Sequence, residues 1–334
     1  MILVVTQLKK KLAGGHKKKF FFVICFFFIF NTYAHSSQIL DYETELYIES
    51  IISKIKLSNN INRDINFKII SDSNINAFVN ENNVISIAAG LIENSPDYVA
   101  LLSVIAHEIG HIEKNHVAIR KSSISRLKEY RNISNLSIIA GSMISGNPEL
   151  LQSIAISEAS MSNLYLSFSK EQEIEADYYA LETLNKMELN PKSIIELLEI
   201  IESKALEKGL TEEKQRYSTH PYFRDRIDFV NYLNKNNNNF DLEEEKKFKF
   251  IKAKFIGYRS NLNKINQLSF PYGDYSKAIY EAKKGNLNNS LKKLNKLIKK
   301  YKNNYFLIET KADILYSYGY TKESIEFYKL VLKK

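Results

Sequence analysis

The chain has 334 residues, of which 44% are hydrophobic, so it is long enough for one well-buried core and a smaller second unit. Its formal charge of +9 would suit nucleic acid or a membrane surface. However, six lysines and no acidic residue fall within residues 1–34. Most of the excess charge therefore lies in that segment, and no nucleic-acid function is expected.

Residues 1–34 have the pattern of an export signal. A basic stretch ends at Lys19, an apolar run extends over Phe20–Phe30, and Thr32-Tyr33-Ala34 carries small residues where a signal peptidase needs them. This apolar run is too short to cross a bilayer comfortably. We expect cleavage after Ala34, with an uncleaved membrane anchor as the alternative. Because Cys25 is the only cysteine, the exported chain would have no disulfide and no thiolate metal ligand.

The remaining sequence predicts a mostly α-helical protein with a small β-sheet. The first helix is predicted over Asp41–Leu57, and short strands over Phe67–Ser71, Ile75–Val79 and Val84–Ala89. Ser95, as a cap, and Pro96, in the first turn, predict the start of a second helix. This helix is expected to run to about Arg120, and further helical segments to about Met187. Helices are also expected over Lys192–Lys208, around Arg226–Leu233 and over Asp241–Leu268, with a linker or exposed turn at Asn234–Asn239.

The second predicted helix contains the motif HExxH, formed by His107, Glu108 and His111. Residues four apart on a helix project from nearly the same face, so both imidazoles can bind one metal ion. Glu108 lies on the neighbouring flank, where it can take a proton from a water that the metal activates. Apolar residues surround the motif on most of the helix, which predicts a buried helix. Because HExxH alone occurs by chance, two ordinary surface histidines are the alternative.

A third ligand decides between these interpretations. Glu173 and Asp177 share one face of a later helix, and Glu173 can complete a site of two histidines and one glutamate. Asp177 can accept the free ring N–H of a ligand histidine. An acidic, solvated helix face is the alternative. His116 is close in sequence, but on a continuous helix it would point to the core, so we interpret it as structural.

The last 64 residues contain a repeat. Gly285 and Gly319 are 34 residues apart, the period of a tetratricopeptide repeat, and Ser290 and Ser324 occupy equivalent positions after them. A plain pair of helical hairpins is the alternative. Two units would leave apolar surface uncovered, so we expect this segment to pack on the helix at Asp241–Leu268 and on the preceding domain. With 14 lysines and 6 acidic residues in 271–334, its groove is expected to be basic.

These motifs together resemble zinc metallopeptidases of the HtpX and CAAX-protease type (peptidase family M forty-eight). Within that family they are most similar to the periplasmic BepA/YfgC-like branch with C-terminal tetratricopeptide repeats. Two departures are Lys170, where the family usually has arginine, and the small number of repeats. The matching segments follow the family's order over most of the chain: Asn76–Phe78, Ile85–Leu91, His107–His111, Ser169–Asp177 with Ala180, Thr219-His220-Pro221, and Arg226-Ile227.

The resemblance implies a role for each site residue. His107, His111 and Glu173 would bind one zinc ion per chain, Glu108 would be the general base, and Asp177 would support a ligand. His220 would lie on a loop that can approach the zinc and hold it inactive. Arg226 would help orient the substrate, although an ordinary surface charge is about as consistent with the sequence.

The sequence patterns and the resemblance together imply a domain organisation. It consists of a signal peptide over 1–34, a gluzincin-type zinc peptidase domain over 35–240, a connecting helix over 241–270 and two repeats over 271–334. In the peptidase domain, Ile85–Ala89 could be an edge strand that pairs with an extended peptide.

Two functions follow as hypotheses. The first is a periplasmic metalloendopeptidase that cleaves unfolded or misassembled envelope proteins, peripheral to the membrane at most. The second is a chaperone or assembly factor that keeps the zinc fold but seldom cleaves. The repeats could contact the outer-membrane assembly machinery in either case.

Overall fold

The computed structural model describes residues 37–122, 168–207, 209, 223–233 and 239–333. The predicted export signal and the predicted regulatory residue His220 lie outside these residues. The described residues from Gln38 onward belong to one compact unit. It is mostly helical with a small four-stranded mixed sheet, which confirms the predicted fold class.

The strands come first in the chain and the helices dominate after them. The strands are β1 (Gln38–Ile39), β2 (Asn66–Ile70), β3 (Ala77–Val79) and β4 (Val84–Ala88). The helices of the first part are α1 (Tyr42–Asn59), α2 (Ala89–Asn94), α3 (Tyr98–Glu113), α4 (Lys170–Lys186), α5 (Lys192–Glu207) and α6 (Phe223–Leu233). The helices that follow are α7 (Leu242–Arg259), α8 (Leu262–Asn266), α9 (Tyr272–Lys283), α10 (Leu287–Lys300), α11 (Phe306–Ser317) and α12 (Thr321–Leu332).

The sheet has the strand order β1-β2-β4-β3. Strand β4 pairs in parallel with β2 and antiparallel with β3, so it is an inner strand. The expectation that Ile85–Ala89 forms an edge was therefore wrong. Its apolar, β-branched sequence reflects burial on both faces, since Ile85 and Ile87 on one face and Ser86 and Ala88 on the other are all buried. Of the three strands predicted from sequence, β3 is the one at an edge.

Helix α3 runs through the core behind the sheet. It starts later than predicted, because Asp97 and not Ser95 is its N-cap and accepts a hydrogen bond from the Ala100 N–H at 2.9 Å. Ser95 instead ends α2, where its hydroxyl donates to the Leu91 carbonyl. Carboxylate caps suit a helix N-terminus because of the free N–H groups and the positive end of the dipole.

Helix α7 connects the first part of the chain to the last four long helices. At its start, Glu245 accepts the Tyr98 N–H of α3 at 3.0 Å. Further along, the buried Lys254 forms ion pairs with Asp41 at 2.8 Å and with Glu43 at 2.6 Å. Burial lowers the pKa of Lys254, but Glu43 and Asp41 outweigh it and raise that pKa well above its ordinary value.

The opposite side of α7 packs against α9. Ser276 donates to the Ala253 carbonyl at 2.6 Å, and a Cβ on Gly257 would come within 2.9 Å of the Ser276 carbonyl oxygen. This close helix crossing is why a glycine is needed there. The described residues of 271–334, which are 271–333, thus pack on the preceding helix as predicted, and their apolar cluster includes Phe250 and Ala253 of α7.

Helices α9–α12 form two hairpins with equivalent turns. Gly285 and Gly319 follow α9 and α11 with φ of +89° and +85°, which glycine adopts without strain. The charge is unevenly distributed between these helices. The lysines concentrate on α10, whereas α11 carries Glu309 and Asp313 near Lys254, and burial raises the pKa of both carboxyls. The basic character expected for the groove thus belongs to α10 and not to α11.

Candidate active site

The HExxH residues lie on the last turns of α3, in the core. His107, Glu108 and His111 are 4%, 1% and 0% exposed, which excludes the interpretation as ordinary surface histidines. Apolar residues on α3 pack on several sides of the helix and are buried with it. Two imidazoles and a carboxylate held in such surroundings need polar or metal partners.

Helix α4 approaches α3 closely enough to supply those partners. A Cβ on Gly110 would lie 3.3 Å from the Ala176 Cα and 3.1 Å from the Tyr179 Cβ, so only small residues allow this separation. Ala176 and Ala180 are buried, as expected from their size. Ser169 starts α4 in a reciprocal capping box with Gln172, which fixes the register of the acidic residues that follow.

Three side chains from α3 and α4 converge on one point. The Nε2 atoms of His107 and His111 are 3.0 Å apart, and each lies 3.5 Å from an oxygen of Glu173. Ligands of a tetrahedral zinc ion with bonds of about 2.1 Å are separated by about 3.4 Å. The group therefore fits one metal ion, and among the described residues it is the only such cluster.

Asp177 contacts the ring nitrogen of His107 that faces away from the metal cluster. One of its oxygens lies 2.8 Å from His107 Nδ1, so His107 can donate from Nδ1 and keep the lone pair of Nε2 for a metal. Burial raises the pKa of Asp177, but Arg226 and His107 outweigh it and hold that pKa below its ordinary value. Asp177 is therefore an ionised acceptor and not part of a solvated acidic face.

Arg226 reaches the site from α6. Its Nε and Nη2 donate to the two oxygens of Asp177 at 2.7 and 2.8 Å, and Nη1 lies 3.5 Å from Glu173. At 7% exposure it is not a surface charge. Burial lowers the pKa of Arg226, and Asp177 with the site glutamates raises it further than burial lowers it. The Arg226 guanidinium therefore stays charged and compensates the carboxylates.

His116 is at the site as well, contrary to the geometry assumed for it. Asn115 has a left-handed φ of +59°, so α3 ends and a new helical stretch begins at residue 116. The assumption of one continuous helix to Arg120 was wrong. The break brings His116 Nδ1 within 3.0 Å of His111 Nδ1, and His116 Nε2 lies 2.8 Å from Glu175.

Phe168 completes this side of the site and was not anticipated. Its ring stacks on His111 with a centroid distance of 3.8 Å and an interplanar angle of 15°. Arg120 also lies over the Phe168 ring, with Cζ 4.2 Å from the centroid, and it donates to the Val79 carbonyl of β3. The only signal in the sequence was the position of Phe168 directly before the cap of α4.

This arrangement agrees with a match between residues 43–234 and the model of the family described as peptidase family M48. The matched region is more than half of the chain and contains every described residue of the site. The chain belongs to peptidase family M48. It is therefore a metalloprotease by family, as predicted, with a cluster of two histidines and one glutamate that could hold the metal.

Several curated relatives are similar at low identity. A putative beta-barrel assembly-enhancing protease of Vibrio cholerae is 28% identical over 42% of this chain and 29% of its own length. Metalloprotease YcaL of Escherichia coli is 25% identical over 51% of this chain and 66% of its own length. The beta-barrel assembly-enhancing protease of Escherichia coli is 24% identical over 66% of this chain and 45% of its own length. The chain thus spans less than two thirds of each of these relatives.

Proposed function

We propose that this protein is a zinc-dependent endopeptidase of the periplasm that cleaves unfolded or misassembled envelope proteins. The observation that carries the proposal is the convergence of three side chains: the Nε2 atoms of His107 and His111 are 3.0 Å apart, and they lie 3.5 Å from Oε2 and Oε1 of Glu173, respectively. Two nitrogens and one oxygen are typical ligands of catalytic zinc, which keeps a fourth position open. Glu108 follows His107 directly on the same buried turn, where a general base is needed.

The chemistry follows from these positions. Zinc, when bound, would lower the pKa of a water molecule and polarise the scissile carbonyl. Glu108 would take the proton of the attacking water and deliver it to the amide nitrogen as the peptide bond breaks. Asp177 would hold His107 in the tautomer that leaves Nε2 free, while Arg226 would neutralise Asp177 and extend towards Glu173. A role for Arg226 in orienting substrate remains part of the proposal.

We further propose that the substrate binds in an extended conformation beside β3, the edge strand that contacts α3. Pairing of a peptide backbone with a sheet edge is nearly independent of side chains. Such binding suits segments of unfolded protein. Arg120 donates to Val79 of β3 and stacks on Phe168, so it connects this edge to His111.

The location and partners are inferred from the sequence and the relatives. The export-signal pattern of residues 1–34 supports a periplasmic chain that begins at His35, which N-terminal sequencing of protein from the envelope would test. Among the described residues, no helix combines the length and apolarity that a bilayer crossing requires. The two hairpins of α9–α12, taken as tetratricopeptide repeats, would contact the outer-membrane assembly machinery or its substrates.

The test is degradation of an unfolded protein by the purified mature chain, with and without a chelator. We expect cleavage within the polypeptide that stops on chelation and returns with one equivalent of zinc per chain. Metal analysis of a variant that combines His107→Ala with His111→Ala should find no stoichiometric zinc. Full occupancy in that variant would refute the ligand assignment.

A mainly non-proteolytic chaperone or assembly factor is the second candidate, favoured by the paired helical hairpins. It predicts that the wild type and Glu108→Gln suppress aggregation of an unfolded protein equally, with no cleavage by either. Cleavage by the wild type alone would favour the peptidase.

A further inference from the structure

We propose that His116 and Glu175 are positioning residues for His111, forming a second support chain beside that of Asp177 and Arg226 for His107. The inference rests on the proposed metal site. His116 is 1% exposed, its Nδ1 lies 3.0 Å from His111 Nδ1, and its Nε2 lies 2.8 Å from Glu175. Each ligand histidine thus has a partner for the nitrogen that faces away from the metal.

The tautomers of His111 and His116 in this series of hydrogen bonds follow from metal binding by His111. If His111 binds the metal through Nε2, its Nδ1 carries the proton and donates to His116 Nδ1. His116 then carries its own proton on Nε2 and donates it to the Glu175 carboxylate. Both rings are neutral, and every hydrogen bond in the chain has one donor and one acceptor. Phe168 stacks on His111 and fixes the plane of the ring.

The two support chains differ in how they end. The chain behind His107 ends in the buried Arg226, whereas the chain behind His111 ends in Glu175, whose side chain is 59% exposed. The backbone break at Asn115 is what makes the second chain possible, because a continuous α3 would direct His116 to another side. His116 therefore contributes to how tightly and in which orientation His111 binds the metal.

Metal affinity of the full chain tests this assignment, measured by competition with a chromophoric chelator. His116→Leu removes the acceptor and should weaken zinc binding by about 10–100-fold, the usual effect of losing an outer hydrogen bond. His116→Asn keeps an acceptor near the position of Nδ1 and should restore most of the affinity. The d–d absorption of the cobalt-substituted His116→Leu protein should shift, and that of His116→Asn should stay closer to the wild type.

The control is Glu182→Ala, which removes an exposed carboxylate from the same helix and should leave the affinity unchanged, whereas Glu175→Ala should lower it. Wild-type affinity and spectra in His116→Leu would overturn the inference. A second result would also overturn it: His116→Leu and His116→Asn lose the same zinc affinity, and both lower the melting temperature of the metal-free protein equally. That result would mean that His116 contributes to packing only. If the variant that combines His107→Ala with His111→Ala retains zinc, the proposed metal site itself is wrong. This result is distinct from wild-type affinity in His116→Leu, which would refute only the role of His116.

A second surface carries an independent inference. Helix α10 exposes a stripe of lysines at helical spacing, and no acidic residue occurs between positions 282 and 308. We define this basic face as Lys292, Lys293, Lys296, Lys299 and Lys300, of which Lys293 is half-buried and the other four are exposed. The opposite side of α10 is buried through Ser290, Leu294 and Leu297. None of these lysines forms an ion pair with any residue that the structure describes.

An apolar ring lies within the basic face. Phe270 is 46% exposed, and the Nζ atoms of Lys296 and Lys300 lie 5.7 and 4.5 Å from its centroid. We propose that this face binds the anionic headgroups of a lipid bilayer, with Phe270 entering the interface. Clustered lysines are attracted to anionic lipids without fixed geometry, and an aromatic ring adds affinity at the headgroup level. Residues 271–334 contain no arginine for the bidentate contacts typical of nucleic-acid recognition.

The test is cosedimentation of the full mature chain with phosphatidylcholine vesicles, with or without added phosphatidylglycerol. We expect binding only to the anionic vesicles, weakened by salt. The combined variant Lys292→Gln, Lys296→Gln and Lys300→Gln should bind roughly 100-fold more weakly, at about fivefold per lysine. The matched control, Lys322→Gln, Lys329→Gln and Lys333→Gln on and after α12, has the same net charge and should bind like the wild type.

Phe270→Ser separates a bilayer from other acidic partners, since it should weaken vesicle binding and leave binding to soluble polyglutamate unchanged. Equal binding to both kinds of vesicle would overturn the proposal. Equal loss in the two triple variants would do the same, as would binding to polyglutamate or RNA with no binding to anionic vesicles.

Discussion

The metal centre and the basic face differ in how their charged side chains are buried and paired. At the centre, residues from α3, α4 and α6 meet in the core, and Arg226 and Asp177 satisfy each other by paired hydrogen bonds. On α10, the lysines come from one stretch of sequence, and all but the half-buried Lys293 are exposed to solvent without ion pairs among the described residues. The first arrangement depends on packing between residues that are 49 to 119 positions apart in sequence, whereas the second depends on local composition alone. Substitutions should therefore affect chemistry and folding at the centre, and only binding at the face.

The largest effect is expected from Glu108→Gln. Removing the general base should lower peptidase activity by about 10²–10⁴-fold, while the isosteric amide keeps fold and metal. Hydrolysis of an unfolded protein and metal content are the two measurements. Glu113→Gln is the control, since Glu113 lies on the same helix and pairs with Arg63. Undiminished proteolysis in Glu108→Gln would contradict the mechanism.

A large effect on stability is expected where α7 joins the two parts of the chain. Lys254→Met removes the cation between Asp41 and Glu43 and leaves Glu43 buried without it, which should cost about 3–5 kcal/mol in the free energy of unfolding. Lys329→Met, which loses an exposed pair with Glu326, is the control and should change little. Urea unfolding measures both.

The same lysine predicts a dependence on pH. Its pKa is raised above the ordinary 10.5, so its contribution is complete below that value and is lost as pH rises through the higher pKa of the folded state. Stability of the wild type should therefore fall faster than that of Lys254→Met between about pH 10 and the onset of alkaline unfolding. Parallel decreases of the two proteins would show that Lys254 is not responsible.

A smaller loss of zinc affinity is expected from Asp177→Asn, which keeps the size of the side chain but removes the carboxylate that accepts two hydrogen bonds from Arg226 and leaves Glu173 as its ion-pair partner. An amide that presents its oxygen to His107 still accepts a hydrogen bond, so zinc affinity should fall by about 10-fold or more and not vanish. Chelator competition at neutral pH measures this. Glu175→Gln is the matched change on the other support chain, and because Glu175 is exposed its loss should be smaller.

The parts of the centre that sequence could predict are those that recur at fixed helical spacing. His107, Glu108 and His111 were found from four-residue periodicity, and Glu173 with Asp177 from the same spacing on a later helix. His116 was misjudged because its direction depends on a left-handed residue at Asn115, which periodicity does not reveal. Phe168 and the burial of Arg226 depend on packing between distant segments, and no local pattern encodes that.

Prediction of the sheet from sequence has the same limit. Strand sequences predicted that β2, β3 and β4 exist, but not which of them is at an edge, because strand order depends on long-range pairing. The apolar residues of β4 marked an inner strand, which was the available signal. The hairpins were predicted better, since their contacts join neighbours in sequence and a 34-residue period sets their turns.

The smallest effect concerns those turns and whether the two hairpins are equivalent. A Cβ at Gly285 or Gly319 would meet no atom within 4 Å, so replacing either by alanine adds no clash. The cost comes from the backbone alone, because φ values of +89° and +85° are unfavourable for a residue with a Cβ, by about 1–2 kcal/mol. Gly285→Ala and Gly319→Ala should therefore lower the free energy of unfolding by similar amounts. Gly209, also at positive φ but after α5 and outside the hairpins, supplies a control for the intrinsic cost of such a turn. A much larger loss at Gly285 than at Gly319 would show that the first hairpin, which packs on α7, is the one that maintains the fold and that the two are not equivalent units.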